Sequence, residues 1–132
     1  MPPLIRTMMN NIIIEVSGEK INAELNNSHT AKKIYDALPL ESATRRWGDE
    51  IYFEIPIESK IENGVEFLEA GSLAYWPPGN AFCIFFGPTP ASTDDRPRAA
   101  GPVNHIGNIT DKDYLIILRS LSSGQNINIS KK

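Results

Sequence analysis

Short runs of alternating apolar and polar residues, cut by turn signals every few positions, run through most of this chain and predict strands more often than helices. Asn11–Val16, NIIIEV, is β-branched, Ser17-Gly18-Glu19-Lys20 is a turn, and residues 21–25 alternate, so together they read as an opening hairpin. Asn27 or Ser28 can then cap a helix over 29–38, with Ala31, Ile34 and Leu38 on one face and Pro39 ending it. Residues 50–57, EIYFEIPI, alternate as a strand that Pro56 confines to an edge or a bend. Residues 61–70 hold turn signals at Asn63-Gly64 and Glu69-Ala70-Gly71 but no clear period. Two aromatic runs follow, Leu73-Ala74-Tyr75-Trp76 and Phe82-Cys83-Ile84-Phe85-Phe86. Both are too short for a core helix, and they flank the turn Pro77-Pro78-Gly79, so they read as consecutive strands. Residues 88–102, rich in Pro, Ala, Asp and Arg, form the longest loop, and loops of that length are usually functional or mobile. Residues 103–109 read as a strand. Residues 111–121 carry the apolar stripe Tyr114, Leu115, Leu118, Leu121 of a second helix, with Gly124 beyond its end, and residues 125–130 alternate as a closing strand.

Many short strands with two separated amphipathic helices predict a mainly β fold. A closed sheet is expected because closure removes exposed edges, with the helices capping its ends. At 132 residues the chain is one domain, large enough for a core without disulfides or metals. Residues 11–132 form that domain and residues 1–10 a flexible tail, in which Met8 or Met9 is an alternative start to Met1. A net charge of −3 argues against a nucleic-acid partner bound by phosphate neutralisation. The single Cys83 excludes an internal disulfide framework and fits a reducing compartment. No apolar run is long enough to span a bilayer, and MPPLIRTMMN lacks the apolar block of a signal peptide, so the expected location is cytoplasmic, with no membrane partner.

Four segments carry a family resemblance: Trp47-Gly48-Asp49-Glu50-Ile51-Tyr52-Phe53, Tyr75-Trp76-Pro77-Pro78-Gly79, Phe85-Phe86-Gly87-Pro88-Thr89-Pro90 and Val103-Asn104-His105-Ile106-Gly107. With them the chain from Asn11 onward resembles a small family of uncharacterised prokaryotic cyclophilin-like proteins. The resemblance implies a closed eight-stranded barrel with two capping α-helices. Fainter likenesses to true cyclophilins run through Gly71-Ser72-Leu73-Ala74, Phe85-Phe86, residues 51–56 and Ile106-Gly107-Asn108-Ile109. On that likeness Phe86 matches the phenylalanine lining the proline pocket. Phe53, Ile84 and Val103 stand where the catalytic Arg, a Gln and a His are expected. The resemblance therefore implies an apolar wall without the cation that would polarise a proline amide. Isomerisation works against an amide resonance barrier of ~20 kcal/mol, and positioned charge is the main way to lower it.

The candidate ligand-binding residues are Arg45, Arg46, Trp47, Tyr75, Trp76 and Phe86. A cation beside aromatic rings suits an anionic or amide ligand, and amphipathic rings at strand ends suit a binding surface with one wet end. Against this, the two arginines can be solvated, Trp47 can cover a sheet end, and Tyr75, Phe82, Phe85 and Phe86 can be core; alternation puts Phe82 and Phe86 on one face and Phe85 on the other. Asp49 and Glu50 are adjacent on a strand and face opposite ways, so they do not form an acid–base pair. His29 and His105 lie far apart without metal-ligand spacing, and no metal or other cofactor is expected. Cys83 has no basic neighbour in sequence and reads as a buried, inert thiol. The expected function is binding of a small molecule or peptide segment in an aromatic-lined cleft, without efficient prolyl isomerase activity. Two alternatives stand beside it: a metabolic enzyme or enzyme subunit acting on an amide-type substrate, and a weak peptidyl-prolyl isomerase using Arg45 or Arg46. The 88–102 loop is placed to act as a lid.

Overall fold

The computed structural model describes residues 10–132, so the tail expected at the N-terminus lies, apart from Asn10, outside the described residues. The opening hairpin is present as β1 (Asn11–Val16) and β2 (Glu19–Leu25). Its turn places Ser17 and Gly18 at positive φ. Helix α1 (His29–Ala37) is capped by the Ser28 hydroxyl, which accepts from Ala31 N at 3.2 Å. Then come β3 (Leu40–Ala43), β4 (Arg45–Arg46), β5 (Glu50–Glu54), β6 (Val65–Phe67), β7 (Ser72–Trp76) and β8 (Ala81–Phe85). A 3₁₀ turn, Pro77–Gly79, joins β7 to β8. The chain ends with β9 (Arg98–Ile109), helix α2 (Tyr114–Arg119) and β10 (Asn126–Lys131).

All ten strands belong to one antiparallel sheet, ordered β3-β10-β1-β2-β9-β7-β8-β5-β4, with β6 pairing β9 off this path. The expected closed eight-stranded barrel is not what forms. The described residues form ten strands, and among them no hydrogen-bonded ladder joins the two ends of the path. Those ends, β3 and β4, are consecutive in the chain and separated by Thr44 alone. The segment 40–46 thus pairs with β10 through its first half and with β5 through its second. It switches partner at Thr44, whose hydroxyl donates to Ser122 O and accepts from Gln125 N. The bridge is covalent rather than a ladder.

Two other boundaries move. The expected loop 88–102 gives up its last five residues to β9, because Arg98 and Val103 pair with β6. The second helix is shorter than 111–121, since the Asp111 carboxylate accepts from Asn22 N at 2.7 Å instead of entering the helix.

Alternation along the strands sorts the apolar residues into two clusters. The larger holds Ile12, Ile14, Ile21, Ile51, Phe53, Leu73, Tyr75, Phe82, Ile84 and Phe86 among others, and the helices pack against it through Ile34 and Leu118. The smaller lies on the other face of β5, β7, β8 and β9 and holds Leu68, Ala74, Ala81, Cys83, Phe85, Ala99 and Val103. At the end of the sheet near α1, Asn104 is buried. Its amide donates to Thr30 Oγ1 and Lys60 O, and its carbonyl accepts from Glu62 N. Because a buried amide must be satisfied, this network ties the 58–62 loop to the helix N-terminus. Among the described residues no helix is long and apolar enough to cross a membrane.

Candidate functional site

The site grows from two docked segments. A tight turn links β4 to β5, in which Trp47 N donates to Glu50 O and Glu50 N to Trp47 O. Gly48 adopts φ 61°, a conformation other residues resist. The turn sits against the chain leaving β8: Phe86 N donates to Asp49 O and Asp49 N to Pro88 O. A Cβ at Gly48 would come within 2.9 Å of Thr89 Cα, and one at Gly87 within 3.0 Å of Asp49 Cβ. Both glycines are therefore required by close approach, and the docking holds Trp47 and Glu50 at one end of the smaller cluster. On the far side Trp76 is laid across the Pro77–Gly79 turn, where a Cβ at Gly79 would meet its ring at 2.8 Å.

Between these segments lies a cavity of about 210 Å³ lined by Trp47, Glu50, Tyr52, Trp76, Ala99, Ala100 and Val103. Glu50 and Tyr52 share a strand face, and the strand partner of Tyr52 is Cys83. Glu50 is only 6 % exposed. No Lys, Arg or His forms an ion pair with it among the described residues. Burial pushes its carboxyl from 4.5 up to about 7, and an interaction with the Cys83 thiol offsets part of that rise. The Cys83 thiol is itself pushed up, by burial first and by the Glu50 charge second. An acid poised near neutrality in an apolar recess is a common mark of a functional site.

Of the six candidate residues, the structure brings Trp47 and Trp76 together on this cavity. Tyr75 and Phe86 point the other way, into the main core, and the Tyr75 hydroxyl contacts Ile57 O and Asn80 Oδ1. Adjacent strand residues face opposite sides, so Tyr75 cannot share the Trp76 surface. Phe53 and Ile84, which the resemblance set at polar catalytic positions, also face that core, whereas Val103 lines the cavity. Arg45 is exposed and lies opposite Tyr52 in register without lining the cavity.

Arg46 has a different occupation. Its guanidinium donates to Gly48 O, Arg119 O, Leu121 O and Asp49 Oδ1 at 2.8–3.1 Å, and it lies 5.3 Å from the Phe86 ring centroid. It satisfies carbonyls at the C-terminal end of α2, where cations are favoured. Arg46→Ala is expected to destabilise the protein by about 2 kcal/mol, because several carbonyls lose a charged donor. Arg46→Lys is expected to recover less than half of that, since an ammonium cannot span the same acceptors. Chemical denaturation of the three proteins checks this.

Sequence reasoning passed over Glu50 because it weighed it only as a partner for Asp49. The usable signal was parity: Glu50 and Tyr52 stand two apart and must share a face.

The family model for cyclophilin-like proteins matches residues 10–130, nearly the whole chain. The chain belongs to the cyclophilin-like family. A solved structure agrees: this cyclophilin-like chain is similar to a hypothetical protein from Archaeoglobus fulgidus determined in solution. The two share 34 % identity over 96 % of this chain and 98 % of that one, with a TM-score of 0.77. No curated protein matches the chain.

Proposed function

We propose that this protein is a binding module that takes a small molecule or peptide segment in the aromatic-lined cleft between Trp47 and Trp76, without efficient prolyl isomerase activity. The observation that carries the reading is the cavity itself, an apolar recess walled by two indoles and a phenol with one buried carboxyl directed to it. Apolar concavities with a few convergent polar groups are the usual form of a ligand site. The lack of isomerase chemistry is supported by the engagement of the Arg46 guanidinium in four hydrogen bonds, which leaves it no freedom to polarise a guest amide. The Phe53, Ile84 and Val103 side chains offer no substitute charge.

Native mass spectrometry of freshly purified protein is expected to show a retained mass that Trp76→Ala loses. Tyr75→Phe, which alters only the opposite face, is expected to keep it. In a protease-coupled proline-peptide assay the protein is expected not to exceed the spontaneous rate. A retained mass unaffected by Trp76→Ala, or strong isomerisation abolished by Arg45→Ala, would reverse the reading.

The Glu50 carboxyl favours a second reading, an enzyme acting on an amide-type substrate. A group titrating near 7 suits general acid–base catalysis. Turnover of a retained amide that Glu50→Gln abolishes while binding persists would distinguish enzyme from binding module.

A further inference from the structure

Resting on the cleft reading, we infer that the ligand is a small free alkylammonium cation, held with the Glu50 carboxylate against it and the rings of Trp47, Trp76 and Tyr52 around it. Three of the seven lining residues are aromatic, three are aliphatic, and the one acid among them, Glu50, is 6 % exposed and pairs with no cation among the described residues. A native protein rarely leaves such an acid unpaired. An aromatic enclosure with one negative charge is complementary to a weakly hydrated cation, which gains from the ring quadrupoles and gives up less hydration than a primary ammonium ion on a flexible side chain. An anion would meet the charge of Glu50, and a purely apolar ligand would leave it unpaired. The volume, about 210 Å³, lies below the ~300–1,000 Å³ of drug-sized sites and suits a compact head group.

The charged groups on neighbouring elements leave this role to Glu50. On its own turn, Asp49 is paired with Arg46. On β4, Arg45 is exposed outside the cavity lining; on β5, Glu54 shares the face but is exposed; and on β9, Arg98 is paired with Glu66 while His105, opposite Ala74 in register, has its ring on Asn108 Oδ1 and lies outside the cavity lining. From β8 the Cys83 thiol faces it, and from β7 only Ser72, Ala74 and Trp76 share the face. With the free carboxyl titrating near 7, cation binding draws a proton off Glu50. The competent fraction then rises from roughly 10 % at pH 6 to roughly 90 % at pH 8, an apparent affinity change of about tenfold.

The test uses choline and its neutral isostere 3,3-dimethylbutan-1-ol, titrated against the full chain with tryptophan emission and calorimetry as readouts. Choline is expected to bind at pH 8 at least about tenfold more tightly than the alcohol, to weaken about tenfold at pH 6, and to lose that pH dependence together with most of its affinity in Glu50→Gln. The wild-type pH profile carries the test even if that variant folds poorly, and Trp47→Ala should weaken choline at both pH values. Equal binding of choline and the alcohol, or pH-independent choline binding, overturns the cation assignment and leaves the cleft standing. If neither probe perturbs Trp47 or Trp76, and native mass spectrometry finds no retained mass, both the cation and the cleft are rejected.

Discussion

Gly107→Ala is expected to lower stability by at least about 3 kcal/mol, the range reached when a core position has no room to relax. Gly107 lies on β9 between Leu25 of β2 and Leu73 of β7. A Cβ there would fall on the backbone carbonyl oxygen of Glu24 and come within 2.9 Å of Leu25 Cα. These are main-chain atoms in a ladder, so the clash cannot be relieved by turning a side chain. Beside it Ile106 is an extra residue in the β7–β9 ladder, since Leu73 pairs with Gly107 and Ala74 with His105. Such bulges bend a strand and raise its twist, and this one adjoins the position where the β9 backbone approaches that of β2. Gly101→Ala is the control. It lies on the same strand with nothing within 4 Å of the added methyl, and its effect should stay within about 0.5 kcal/mol. Urea unfolding of the two variants makes the comparison, and equal midpoints would show that the sheet absorbs the clash.

The second large effect is expected at Glu50 and depends on pH. Its folded-state pKa of about 7 stands above the unfolded value of 4.5, so between those limits the native state binds more protons than the unfolded chain. Stability from this group is therefore fully present below pH 4.5, declines as pH rises, and has been lost once pH passes 7. A shift of this size corresponds to roughly 3 kcal/mol. Glu50→Gln removes the titration. Its stability relative to wild type should therefore rise by that amount between pH 4 and pH 8, whatever constant offset the amide introduces. Glu62 acts in the opposite direction. The Thr30 hydroxyl, followed by the backbone N–H groups of Thr30 and His29, holds its carboxyl low, so its contribution is lost as pH falls below the ordinary carboxylate range. The Glu50 signal therefore stands apart on the neutral side. A parallel pH profile in Glu50→Gln would mean that the carboxyl is better solvated than its burial implies.

How much of this was legible depended on how local the information was. The β1–β2 and β7–β8 hairpins and helix α1 followed from alternation, turn residues and a cap, all written within a few positions of one another. The β3 and β4 strands were hidden because Leu40-Glu41-Ser42-Ala43 and Arg45-Arg46 are stabilised by distant partners, β10 and β5, rather than by their own pattern. The start of β9, Arg98-Ala99-Ala100-Gly101-Pro102, has loop composition and becomes a strand only through pairing with β6. At the candidate site, clustering of aromatics marks segments that contribute to the cavity wall, but clustering does not say which way a ring points. Parity could separate Tyr75 from Trp76 and Phe86 from Phe85; only the packed sheet decides which parity is interior. Trp47 and Trp76 fell on the cavity, Tyr75 and Phe86 in the core. The role of Gly107 was visible only as part of a family motif, and the reason for it is a backbone approach across three strands.

The segment 40–46 has one more consequence. Because it forms both ends of the sheet, the ladder at one border is four residues long and at the other two, and the side strand β6 adds three. Short borders of this kind are how natural sheets resist recruitment into intermolecular β-structure. A guest peptide seeking to extend the sheet as an added strand would find too few consecutive main-chain donors and acceptors to replace its hydrogen bonds with water. Strand donation, fibril-type stacking and edge-to-edge dimerisation are all disfavoured by these short borders.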